Sequence, residues 1–277
     1  MKKILTLIVL ACCINAGFAQ EEDYAVRSFE TSALIDNQTV TNPYKGMLEL
    51  QIQHRFGPVE NGITDLFGIY APSNIRMGLN YGITDKLMVS LGTTKDYKPL
   101  DAAVKYAILQ QTESGKMPIS LSYYGSVSIG LQGDEMYGPG VEYRFIHRIS
   151  YINQFIVARK FSEKLSLQVA PTILYLNSVE YGYKNLNYGI SAGGRFNAFG
   201  SHSLIFEFDH LLNKQDNEDF NAKPQLALGW EIGTATHAFQ VFFANYKGIL
   251  GQRNFVYNQN DFTEGDYLLG FNVTVRF

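Results

Sequence analysis

Cysteine is confined to Cys12 and Cys13 of the 277-residue chain. A chain that begins after them has no disulfides, no cysteine-ligated zinc and no thiol catalysis. Long apolar runs are equally scarce. Beyond the first twenty residues no stretch offers about 18 consecutive apolar residues, so a transmembrane helix is excluded. Charge of one sign is missing too. Lys and Arg total 23 against 26 Asp and Glu, a net charge of -3, with no basic stripe or like-charged tail, so nucleic acid is not an expected partner. Tryptophan occurs once, against 18 Tyr and 19 Phe, and with 25 Gly this balance favours β-structure over helix. The mean hydropathy of -0.09 suggests a soluble chain. Membrane strands escape that index, because only every second residue is apolar.

What is present begins with Lys2 and Lys3, the run ILTLIVLACCINAGFA, and then Gln20, Glu21, Glu22 and Asp23. This is the charged, apolar, small-residue order of an exported protein's signal peptide, with cleavage expected after Ala19. Acylation at Cys12 competes with that reading, although bulky Leu10 stands where a small residue is preferred. The expected organisation is a signal peptide at 1–19, a periplasmic segment or lumen plug at 20–44 and a β-domain at 45–277. Within the second part, SFETSALI has the pattern of a short inserted strand or plug.

From residue 45 onward apolar and polar residues alternate with period two. Strands are expected at 45–56, 74–83, 86–94, 101–109, 119–130, within 141–161, and at 165–176, 186–196, 203–210, 225–232, 237–246 and 266–277. Each is close to the ~10 residues a tilted membrane strand requires. The even-numbered junctions TDK, SEK, FGSH and GTAT are tight, whereas the odd ones are mostly long. That asymmetry, with an even strand count, fits an antiparallel transmembrane β-barrel of the outer-membrane type, with short periplasmic turns and longer external loops. In the last strand Tyr267, Leu269, Phe271, Val273, Val275 and Phe277 share one face, as a barrel-closing strand requires. The stretch 141–161 is apolar on both faces, which predicts a bulge or an overlong strand. The junction QQTESGKM at 110–117 is too long for its expected side. The competing architecture is a two-sheet soluble sandwich with its apolar faces turned inward.

The stretches NPYKGMLELQIQHRFG, DLFG, IRMGLNYGITDKLMVSLG and MPISLSYYG resemble a family of Bacteroidota outer-membrane barrels known only as a domain of unknown function. The resemblance covers most of the chain after the signal and implies the barrel and outer-membrane localisation. It implies no activity, cofactor or site residue.

Few residues form a chemical constellation. Asp209, His210 and Asn213 in FEFDHLLN come nearest to a surface phospholipase, but Asp209 and His210 are sequence neighbours on a strand and point to opposite faces. No histidine pair has metal-ligand spacing. GPG at 138–140 and AGGRF at 192–196 lack the following helix of a phosphate loop and are expected to serve strand curvature. No cofactor and no enzymatic activity are expected. The informative set is Glu49, Arg55, Arg76, Lys105, Arg195, Glu207, Asp209, Glu231 and Arg276, all on the face opposite the apolar one. In a barrel they line the lumen, either neutralising one another across a closed interior or selecting solutes in a narrow passage. The expected function is a passive channel for small hydrophilic solutes, with a closed docking barrel as the alternative. The expected partners are membrane lipid, the barrel assembly machinery and a small solute.

Overall fold

The computed structural model describes residues 25–133 and 142–277. The expected signal peptide, the GPG motif and Val141 lie outside these residues. Twelve antiparallel strands close into one barrel, each paired with its sequence neighbours and the first with the last. In chain order these are β1 (Leu48–Pro58), β2 (Asn74–Thr84), β3 (Leu87–Thr94), β4 (Pro99–Leu109), β5 (Ser120–Gly130), β6 (Ile149–Lys160), β7 (Leu165–Leu176), β8 (Leu186–Phe199), β9 (His202–Leu211), β10 (Gln225–Gly233), β11 (His237–Ala244) and β12 (Leu268–Arg276). A short helix, α1 (Gly251–Tyr257), lies between β11 and β12.

The seam shows why closure follows from the pattern. Glu49 stands opposite Arg276, Gln51 opposite Thr274 and Gln53 opposite Asn272. The Leu48 N–H donates to Phe277 O at 3.1 Å, and the Phe277 N–H donates to Leu48 O at 2.9 Å. A strand pair in register on both parities leaves no unpaired edge, as lipid demands.

The direction of the two faces decides between membrane and soluble architectures. Glu49, Gln51, Gln53, Arg55, Lys105 and Glu207 are buried inside. Large apolar residues stand outside: Leu91 is 66% exposed, Leu228 56% and Phe243 54%. A soluble sandwich would hide that apolar face. Here the barrel is polar within and apolar without, stable only if hydrocarbon surrounds it.

One end of the barrel carries the tight connections 85–86, 161–164, 200–201 and 234–236. The opposite end carries the long loops 59–73, 177–185, 212–224 and 245–267, together with one tight turn at 95–98. The ten-residue junction 110–119 has a use at the tight-turn end. Gln111 O accepts the Val26 N–H at 2.8 Å and Ala25 bridges Thr112, anchoring the incoming N-terminal segment.

The sixth strand corrects an expectation. It starts at Ile149, after a 3-10 turn at Phe145–Arg148, and runs to Lys160 in the same register with β7 on either side of Phe155 and Ile156, with neither bulge nor overlong extension. Its second apolar face exists because Ile152 and Ile156 point into the lumen, where apolar partners meet them.

Candidate functional site: a filled, charged lumen

The lumen is occupied by the chain's own N-terminal segment. Residues 31–39 turn back on themselves, with the Leu34 N–H on Asn37 O at 2.9 Å and the Thr39 N–H on Ser32 O at 2.9 Å. Three threonines satisfy local backbone carbonyls: Thr31 Oγ1 donates to Ala33 O, Thr39 Oγ1 to Thr31 O at 2.7 Å and Thr41 Oγ1 to Phe29 O at 3.1 Å. Such side-chain bonds let an irregular segment be buried without leaving its carbonyls unpaired. Phe29, Leu34, Ile35 and Val40 pack on Ile156, Ile205, Phe242 and Tyr246.

Most of the charged lumen residues engage this segment. Arg55, stacked over Phe242 at 4.4 Å, pairs with Asp36 at 2.5 Å, and Gln53 Nε2 donates to the same carboxylate at 2.8 Å. Glu207 accepts the Asn37 N–H at 2.7 Å, the Asp36 N–H at 3.0 and 3.1 Å, and the Tyr246 hydroxyl at 3.1 Å. Asp209 accepts Asn37 Nδ2 at 2.8 Å. The Lys105 ammonium donates to Ser32 O and Thr41 O, both at 2.8 Å. Glu49 accepts the Ser32 hydroxyl. Arg276 reaches Glu30 at 3.1 Å, and Arg195 lies 4.0 Å from the same carboxylate.

Two of the sequence-derived candidates use wall partners instead. Arg76 forms a two-pronged pair with Asp101 at 3.1 and 2.5 Å and donates to Gln53 at 3.0 Å. Glu231 accepts Arg195 Nε at 2.7 Å and Gln240 Nε2 at 2.9 Å. These bonds are what stabilise charge removed from water. Asp209 is buried against Asn37 whereas His210 projects outward, so the phospholipase constellation does not assemble.

At the long-loop end α1 caps the lumen, with Phe255 and Val256 packed on Ile152, Leu174, Leu176 and Leu211. Two glycines make room for these fillers. A Cβ on Gly193 would stand 2.7 Å from the Leu34 side chain, and one on Gly189 2.5 Å from the Phe255 ring. The glycines of AGGRF and its strand thus shape the lumen as well as the wall. Between segment and cap a cavity of about 50 Å³ remains, bordered by Asp36, Gln53, Arg76, Asp101 and Gln252.

Outside the cap lies a vestibule of about 490 Å³ bordered by Thr94, Asp96, Tyr97, Lys247, Arg253 and Tyr257. The Arg253 guanidinium lies 3.5 Å from the centre of the Tyr97 ring and 4.8 Å from that of Tyr257. Burial pushes the Tyr257 hydroxyl up to about 12, with Arg253 opposing the shift, so it remains a donor at neutral pH. Tyr97 and Lys98 hold left-handed backbone, with φ of 63° and 47°. Each costs on the order of 1–3 kcal/mol in a residue that is not glycine.

Parity turns Gln53 and Asp101 inward without showing that they meet Arg76, and the contact of Tyr246 with Glu207, the cap and the vestibule escape it altogether. Parity tells which way a side chain points and is silent on what meets it. The apolar residues on both faces of 141–161 were the available signal.

A closed, polar-lined barrel with an apolar girdle defines an integral membrane β-barrel protein. The chain belongs to the family described as Membrane bound beta barrel domain (DUF5777), whose model matches residues 29–277 and so takes in the lumen segment. Similar folds occur in the NanC porin, with 8% identity and a TM-score of 0.52 over 83% of this chain and 98% of that one. An outer membrane channel from Pseudomonas putida F1 gives 12% identity and a TM-score of 0.48 over 94% of this chain and 100% of that one. No curated protein matches the chain in sequence.

Proposed function

We propose that this protein is an outer-membrane channel for small hydrophilic solutes, closed at rest by its own N-terminal segment and passive once that segment withdraws. The observation that carries this reading is the chemistry of the wall. Its inward positions are predominantly polar, and its charges bind the backbone and polar side chains of the segment. A barrel of about twelve strands is too wide for its own side chains to fill. With the segment gone, the same wall presents water with charged and amide groups, the lining of a diffusive pore. On this reading export is by a cleaved signal peptide and the chain performs no catalysis. Its partners are outer-membrane lipid, the barrel assembly machinery and the solute.

The test is planar-bilayer current through two refolded chains, 20–277 and 45–277. The longer chain is expected to be quiet and the shorter to give stable discrete steps. A second reading, a closed docking barrel, is favoured by α1, whose Phe255 and Val256 pack on the wall at the other end. A shorter chain that runs as a compact unheated barrel yet stays silent would select it.

A further inference from the structure

We infer that the vestibule above α1 is a binding site for a small hydroxylated carboxylate, such as an acidic monosaccharide, held by Arg253 and Lys247. Three independent observations meet there. The first is volume. About 490 Å³ at the long-loop end lies within the usual range for small-molecule sites.

The second is unspent positive charge. Arg253 is fixed between Tyr97 and Tyr257, yet among the described residues no carboxylate forms an ion pair with it. Glu180 is near enough to act on Tyr257 and makes no such pair. Lys247 borders the same space, also without an ion-pair partner among the described residues. Stacking on aromatic rings holds the guanidinium in one plane, and its fork of N–H donors suits a carboxylate. Elsewhere in this lumen Arg55, Arg76, Arg195 and Arg276 all have carboxylate partners. Arg253 departs from that pattern, and it borders the vestibule of about 490 Å³.

The third is an orphaned hydroxyl. Thr94 borders the vestibule and is 5% exposed, and its Oγ1 has no hydrogen-bond partner in the chain. A buried hydroxyl without a partner carries a desolvation cost, which a ligand hydroxyl relieves once a small shift of the wall admits it. The Asp96 carboxylate borders the space as well, supplying an acceptor for further ligand hydroxyls and disfavouring a dianion. The site therefore asks for one negative charge and several hydroxyls.

The site is independent of conduction, because binding is read at equilibrium on a barrel that need not open. A folded 45–277 barrel that stays silent, with saturable binding to 20–277, would keep this inference and overturn the channel. The experiment is titration calorimetry on refolded 20–277 with glucuronate, glucose, acetate and inorganic phosphate. Glucuronate is expected to bind at least about tenfold more tightly than each of the others, a difference of about 1.4 kcal/mol. Arg253→Gln is expected to remove that preference and Thr94→Val to weaken glucuronate several-fold, with heat-modifiable gel mobility showing that both barrels fold. Arg253→Lys provides a second variant that keeps charge and loses the fork, and it is expected to bind less tightly than the parent. No saturable glucuronate binding, equal binding of glucose, tighter binding of phosphate, or indifference of the folded Arg253→Gln barrel would each overturn it.

Discussion

Asp36 and Arg55 meet at 2.5 Å in the middle of the barrel, one on the inserted segment and the other on the first strand, with side chains 8% and 0% exposed. Removing one member of a buried pair leaves the other charged and unpaired, which costs about 3–5 kcal/mol. Asp36→Ala is therefore expected to loosen the segment and leave the strand ladder intact. Hydrogen exchange should rise at residues 31–39 and stay slow in β1 and β12. Bilayer current should appear where the parent chain is quiet. Equal loss of protection in the strands would show that the pair holds the barrel rather than its filling.

Gly193 offers a steric route to the same end. A side chain there meets Leu34 at 2.7 Å, and overpacking of this kind costs about 1–3 kcal/mol. Gly193→Leu is expected to speed amide exchange at residues 31–39. Gly130→Ala, where a new Cβ would find nothing closer than Arg148 O at 3.9 Å, is expected to leave those amides unchanged.

The loops at the long-loop end are tied by Lys223 and Asp261, 3.0 Å apart. Hydrogen bonds from the Thr263 hydroxyl and backbone and from Lys223 hold the Asp261 carboxyl down to about 2. A carboxyl whose pKa is depressed on folding stabilises above its unfolded value and loses that contribution as pH falls through the folded one. The tie is expected to be complete above about pH 4 and lost toward pH 2. Following the loop amide resonances over that range should show a step in the parent chain and none in Asp261→Asn.

Leu91 is 66% exposed in the middle of β3. If hydrocarbon surrounds it, Leu91→Arg should destabilise the barrel by about 2–4 kcal/mol when unfolded by denaturant from lipid vesicles. A cost near zero would place that face in water. Trp230, whose Nε1 donates to His202 Nδ1 at 3.1 Å near the tight-turn end, is the single tryptophan. Its emission should be quenched by brominated lipid.

Strand parity and loop asymmetry were legible because the inward residues of β1, Glu49, Gln51, Gln53 and Arg55, alternate with Leu50, Ile52, His54 and Phe56 on the outer face. The boundaries of the sixth strand were not. Ile152 and Ile156 obey a local packing demand made by Phe255 and by the inserted segment, neither of which is near them in sequence. The same separation hid the role of the charged set. Glu207 shows its inward direction by parity, but its ligands are the Asp36 and Asn37 amides, 171 and 170 positions away. No periodicity within a window of a dozen residues carries that information. The glycines of AGGRF could be assigned to the strand, whereas their use as a notch depended on knowing that Leu34 arrives there.

Glu30 is bonded to Arg276 across 246 positions of chain, and this bears on the order of assembly. A stretch made early cannot be secured until the final strand exists, since its partners are distributed over β1, β4, β9 and β12. Loop closure over such separations is slow, so an unfinished barrel would hold an unsecured N-terminal arm until the seam is zipped. Sealing the wall and immobilising the arm become one event, and a nascent protein arrested before its last strand would be leaky as well as incomplete.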